Sequence, residues 1–186
     1  MKHFNIIFII INFSWGIGLK SLLIPADAIS IASSNTGIAK TESVKINPAI
    51  VANQKSNTMS FSLNNWLGDI KCTSFYHSWR NRYIFLTSYK INEVELRGTV
   101  PDDEPIGNFS VKWLSLAYGY GYKFSNTFYA GLETQLIYSR LYTEKTTGFM
   151  SNIGFIYSPD ENYQLGAVIK NFGYLNSELN ETYPSE

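Results

Sequence analysis

Between Phe109 and Tyr138 the chain alternates with a period of two, and no other feature restricts its fold as tightly. Leu114, Leu116, Tyr118, Tyr120, Tyr122 and Phe124 are bulky and apolar or aromatic, while Ser115, Ala117, Gly119, Gly121 and Lys123 between them are small or polar. Successive side chains of a strand point to opposite faces, so the two sets line two faces of one long strand. After Ser125-Asn126, which reads as a turn, Phe128, Ala130, Leu132, Leu136 and Tyr138 resume one face. Gly131, Glu133, Gln135 and Ser139 take the other. In a soluble sheet the charged face is normally the wet one. Here the non-apolar face is mostly Gly, Ser and Ala, and the strands exceed the usual five or six residues. Long strands with an aromatic-rich outer face and a sparse polar inner face fit an antiparallel transmembrane β-barrel.

The rest of the chain extends this pattern. Met59, Phe61 and Leu63 alternate from Thr58 onward, Lys71 to Trp79 is a second and less regular strand, and Tyr83 to Val94 a third. Phe149 to Tyr157 and Tyr163 to Ile169 read as the sixth and seventh. Turns at 125–126 and 158–162 are short, whereas 95–108 and 143–146 read as longer loops, an asymmetry typical of outer-membrane barrels. Single-chain bacterial barrels have an even number of strands, at least eight, because an open edge in lipid leaves backbone groups unpaired. Seven strands and a polar tail from Asn176 to Glu186 therefore predict the N-terminal part of a barrel that is incomplete here, or a missed strand within 19–56.

Lys2 and His3 precede an apolar run from Phe4 to Phe13, and Gly16-Ile17-Gly18 offers small residues for cleavage, so residues 1–18 read as a signal peptide. The apolar run is too short for the roughly 20 residues of a spanning helix. Residues 19–56 read as an entry segment of extended pieces and one short helix, with Asn47 as its cap and Pro48 in its first turn. Residues 57–186 form the barrel part. Fifteen Lys and Arg balance fifteen Asp and Glu, so no field of one sign points to nucleic acid.

Several segments, in this order, resemble the PorV/PorQ-type outer-membrane barrel family, relatives of the FadL-like barrels. They are Leu22 to Ala28, the eroded Ser34-Asn35-Thr36-Gly37-Ile38-Ala39, Asn47-Pro48-Ala49, and Ser60-Phe61-Ser62 with Trp66 to Ile70. Further on, Gly148-Phe149 through Asp160 and Leu165 through Gly173 complete the set. The sequence departs from the family at Ser30-Ile31, which follow the place of a usual Arg, and at Ile50-Val51, where Gly-Leu is usual. The resemblance implies a protein of the Gram-negative outer membrane, surrounded by lipid. Its best-known members carry or dock exported proteins in type IX secretion, together with other secretion components. FadL-like relatives pass hydrophobic solutes instead, and a secreted soluble β-sandwich that binds a ligand is the alternative outside the membrane. Asn47, Pro48 and Ala49 are the surviving signature of the entry segment, expected as a plug inside the lumen.

Reactive chemistry finds little support in the sequence. Asp102, Asp103 and Glu104 lack the alternating spacing and fixed glycine of a calcium loop, so they read as loop charge facing a partner. Cys72 and His77 are five apart and face opposite sides of a regular strand. No nucleophile elbow, phosphate loop or paired-His motif occurs, so neither an enzyme, a cofactor nor a metal is expected. Lys112, Lys123, Glu133 and Lys170 read as inner-face charges, lining a polar lumen or pairing with one another. Trp66, Trp79, Tyr142 and Tyr157 suit an aromatic girdle. Glycines 119, 121, 131 and 154 read as relief of bulk on a crowded inner face.

Overall fold

The alternation produces one antiparallel sheet. A computed structural model describes residues 24–39, 42–66, 69–98, 103–160 and 162–179, with the side chains of 178 and 179 excepted. The signal peptide expected at 1–18, Asp102 and the tail beyond 179 lie outside the described residues. Seven strands follow one another: β1 (Thr58–Trp66), β2 (Ile70–Trp79), β3 (Arg82–Leu96), β4 (Gly107–Lys123), β5 (Phe128–Leu141), β6 (Glu144–Tyr157) and β7 (Leu165–Leu179). Each pairs with its sequence neighbours alone, in the order β1 to β7, so the sheet is an open meander with β1 and β7 as its edges.

Register carries the face pattern across the sheet. Tyr118 stands opposite Ile84 and Thr134, and Ala117 opposite Phe85 and Gln135, so faces stay in phase from strand to strand. Leu86, Leu116, Leu136 and Phe149 are exposed on the outer face, whereas Tyr83, Phe85, Ala117 and Met150 are buried on the inner one. Two irregularities interrupt the ladders. Between β3 and β4 the register slips after Ile91, with Glu93 in the left-handed region at φ 56°. Between β6 and β7 it slips beside Asn152, where Asn171 takes φ 60° and its N–H donates to the Asn152 Oδ1 at 2.7 Å. Asn tolerates that conformation better than most residues, which suits a bulge.

Three expectations are corrected. Glu144, Lys145 and Thr146 belong to β6 and pair in that order with Leu141, Arg140 and Ser139 of β5, so 143–146 is no long loop and the connection is the tight Tyr142-Thr143. There Tyr142 adopts φ 53°, which lets two residues reverse the chain. The polar stretch from Asn176 is also strand: β7 runs to Leu179 because Asn176 and Ser177 find partners in Thr147 and Thr146. The entry segment contains a second short helix, α1 (Ala28–Ala32), started by Asp27, whose carboxylate accepts from the Ser30 N–H at 2.7 Å.

The core lies between this sheet and the entry segment. Val44, Val51, Cys72, Tyr83, Phe85, Tyr89, Trp113, Ala117, Ile137 and Met150 form its main cluster. The entry segment therefore supplies the second layer that a single sheet needs to bury one face. No helix among the described residues is long and apolar enough to cross a membrane, which leaves strands that do so untouched.

Candidate functional site: an inner face filled by the chain itself

The Asn-Pro-Ala stretch is the centre of the inner face. Asn47 caps the 3₁₀ helix Pro48–Asn53: its Oδ1 accepts from the Ala49 N–H at 2.9 Å, and Pro48 occupies the first turn, where no donor is missed. Its Nδ2 donates outward, to the Ile38 carbonyl at 2.9 Å and the Phe155 carbonyl at 3.2 Å. One fully buried amide thus ties the helix start to both the preceding chain and strand β6. Those amide hydrogens would otherwise be buried without partners, at a cost of about 1–3 kcal/mol each.

Glycines make room for this helix. Gly121, Gly131 and Gly154 stand opposite one another on β4, β5 and β6, forming a row without side chains. A methyl on Gly131 would lie 2.3 Å from the Pro48 carbonyl carbon and 2.4 Å from the Ala49 nitrogen. On Gly121 it would meet the Ala52 nitrogen at 2.4 Å, and on Gly154 the Asn47 Oδ1 at 2.0 Å. The helix backbone therefore rests directly on the sheet. Gly119 serves a separate purpose, admitting the Tyr83 ring.

Beside the helix lies a buried polar cluster around Glu133, which is 1% exposed. Its carboxylate accepts from the Tyr83 hydroxyl and the Asn152 Nδ2, both at 2.7 Å, and pairs with the Lys45 Nζ at 3.3 Å. Lys45 also donates to the Gln135 Oε1 at 3.4 Å and lies 4.9 Å from the Phe85 ring centroid. The acid comes from β5, its donors from β3 and β6, and its counter-charge from the entry segment. A buried carboxylate is tolerable only when so surrounded. A second polar knot joins Asp27, Ser30 and Ser43, with the Asp27 Oδ2 accepting from Ser43 at 2.8 Å and from Ser30 at 3.0 Å.

The expected inner-face charges divide. Glu133 is at the heart of the cluster. Lys170 reaches the same side, its Nζ donating to the Lys45 carbonyl at 2.7 Å. Lys123 sits at the exposed end of β4, 5.4 Å from the Tyr129 ring centroid. Lys112 is corrected to the outer face: it shares the parity of Leu114 and Leu116 and is exposed with them. Asp103 and Glu104 are exposed in the β3–β4 connection, where the Ile106 N–H closes onto the Leu96 carbonyl at 2.8 Å.

Lys45, Tyr83 and Asn152 escaped the sequence reading as members of one cluster. Period-two parity places Tyr83 and Asn152 on the inner face but says nothing of which residues meet there. Cys72 is buried against the Ala26 carbonyl at 3.7 Å, whereas His77 stacks on Trp79 on the outer side, so the two do not form a reactive pair. Among the described residues no group of three or more His, Cys, Asp or Glu is placed to hold a metal ion. A cleft of about 530 Å³ opens between the entry segment and β1, with Ile29, Val44, Ile50, Tyr76 and Phe85 in its wall. Comparison of the chain with protein-family models, curated proteins and solved structures gave no match.

Proposed function

We propose that the chain is part of an integral outer-membrane β-barrel whose lumen is occupied by its own entry segment, and that it serves as a carrier or docking component in the export of proteins. The observation that carries the membrane reading is one register row. Phe61, Phe75, Leu86, Leu116, Leu136, Phe149 and Tyr174 follow one another across all seven strands on the outer face. Phe61 is 64% exposed and Leu136 59%. Further exposed apolar and aromatic side chains flank this row: Leu114, Tyr118, Tyr120, Tyr122, Leu132, Ile153 and Phe172. In water such a surface is a liability, whereas in a bilayer it is the required one. From Leu114 to Tyr122 the strand spans about 27 Å, or about 21 Å of height at a tilt of ~40°, close to the ~25 Å apolar band of such barrels. Exposed Trp66, Tyr142 and Tyr157 suit its margins.

The filled inner face supports docking over open diffusion. A helix seated on Gly121, Gly131 and Gly154 leaves no free channel along that part of the sheet. The β3–β4 connection, with Asp103, Glu104 and the 73%-exposed Ile106, is then the natural contact for an exported protein. The second reading, passage of hydrophobic solutes, draws on the cleft beside β1, whose volume lies within the range of small-molecule sites. Deleting Val100 to Gly107 in the full-length protein, after fractionation has located it, separates these readings. The expected result is a detergent-requiring membrane protein that loses secretion and keeps fatty-acid uptake. Release into the soluble periplasm overturns the barrel in favour of a secreted β-sandwich, and lost uptake with normal secretion overturns the docking role.

A further inference from the structure

We propose that the outer face carries a rim of five cations that binds the phosphate groups of anionic membrane lipids, an inference that rests on the bilayer reading above. Lys71, Lys90, Lys112, Arg140 and Lys145 stand directly opposite one another on β2, β3, β4, β5 and β6. All five are exposed. Each has the parity of the apolar residues on its own strand and stands where that apolar run stops: after Phe75 and Thr73 on β2, Leu86 and Ser88 on β3, Leu116 and Leu114 on β4. On β5 it follows Leu136 and Tyr138, and on β6 Phe149 and Thr147. One register position thus closes the apolar band on five consecutive strands.

Placed this way the charges oppose folding on their own. Directly opposed residues of antiparallel strands have their Cβ atoms about 5 Å apart, and like charges so placed repel. Among the described residues none of the five forms an ion pair; the ion pairs found are Lys45 with Glu133 and Arg97 with Glu95. The one acid in the same register row is Glu178, opposite Lys145 at its far end, and Asn65 ends the row at β1. Glu133 faces the other side of the sheet. Five cations with a single acid at one end, spanning about 19 Å or four strand spacings, call for anions supplied from outside. At the margin of an apolar band those anions are headgroup phosphates, which Arg holds with two parallel bonds and Lys as a point charge. A protein partner would meet the same row only if it also covered the apolar surface beside it.

The test uses the full-length protein in detergent, with retained lipid counted by native mass spectrometry. Phosphatidylglycerol is the anionic probe, phosphatidylcholine the zwitterionic control, and inorganic phosphate the free-anion control. Wild type should retain phosphatidylglycerol preferentially, and Lys90→Gln, Lys112→Gln and Arg140→Gln should each weaken that preference, by about fivefold per charge. Lys112→Arg should restore it, and Lys123→Gln, at the other end of β4, should leave it intact. Equal retention of both lipids by wild type overturns the proposal, as does displacement of phosphatidylglycerol by inorganic phosphate. Insertion into purely zwitterionic vesicles is measured in parallel by flotation. Failure to insert there overturns the bilayer reading itself, whereas insertion without lipid preference overturns the rim alone.

Discussion

Replacing Gly131 with alanine should loosen the entry segment without releasing it, and replacing Gly121 and Gly154 as well should release it. In an ordinary strand, alanine is more stable than glycine by roughly 0.5–1 kcal/mol, because glycine loses more freedom on folding. At Gly131 the added methyl would lie 2.3 Å from the Pro48 carbonyl carbon and 2.4 Å from both the Ala49 nitrogen and the Pro48 oxygen. All three are backbone atoms, so no side chain can swing aside and the helix must lift. Overpacking of this kind costs about 1–3 kcal/mol. The helix is held by the burial of its own Val51 and of Val44 and Ile46 just before it, about 1.5–3 kcal/mol each before the ordering of the segment is offset. One methyl is smaller than that holding energy, whereas three are comparable to it. Tryptic cleavage at Lys45, whose side chain is 17% exposed, reports the opening. The rate should rise about 5- to 150-fold for Gly131→Ala if cleavage follows the open population. The triple variant should be cut as fast as an unstructured peptide while its strand signal persists. Gly107→Ala is the control, since nothing lies within 4 Å of its added methyl. Unchanged or increased resistance in Gly131→Ala would refute the direct seating of helix on sheet.

Two further outcomes follow from the charge placement and the outer face. Glu133→Gln leaves Lys45 without its anion and should destabilise the folded protein by about 3 kcal/mol in urea, the lower end for a broken buried pair because Lys45 keeps some contact with solvent; a change within about 0.5 kcal/mol would argue that the pair is not formed. Leu116→Arg should cost about 2–4 kcal/mol for folding into a bilayer, whereas on a water-facing surface the same change stays within about 0.5 kcal/mol, so a folding titration in vesicles distinguishes the two environments.

Much of the sheet was legible because alternation is a local signal. Met59, Phe61 and Leu63 mark β1 by themselves, and the same holds for Leu114 to Tyr122. The short helix was equally legible, since Asn47 and Pro48 place a cap and a first turn without reference to anything distant. Signals failed where pairing overrides propensity. Asn176 and Ser177 look like tail, yet a neighbouring strand of threonines holds them in the ladder. For Lys112 two local signals conflict: its charge suggests the lumen, but its parity with Leu114 sets it outside, and position wins. Helix α1 carried a signal as well, Asp27 three residues before Ser30. Of the Glu133 cluster, alternation reveals the shared face but not which residues meet. Its members lie on β3, β5, β6 and the entry segment, and only register and docking bring them together.

The entry segment precedes all seven described strands, yet its partners come from far downstream. Lys45 meets Glu133 across 88 residues, and Asn47 meets the Phe155 carbonyl across 108. Each hairpin of the meander joins strands adjacent in sequence, so strands can add one after another at small entropic cost. The seat of the helix does not exist until β4, β5 and β6 stand side by side, because its floor takes one glycine from each. What is made first must therefore be placed last. Through the interval the carboxylate of Glu133 keeps its water, and the arrival of Lys45 and the helix is the step that dries it.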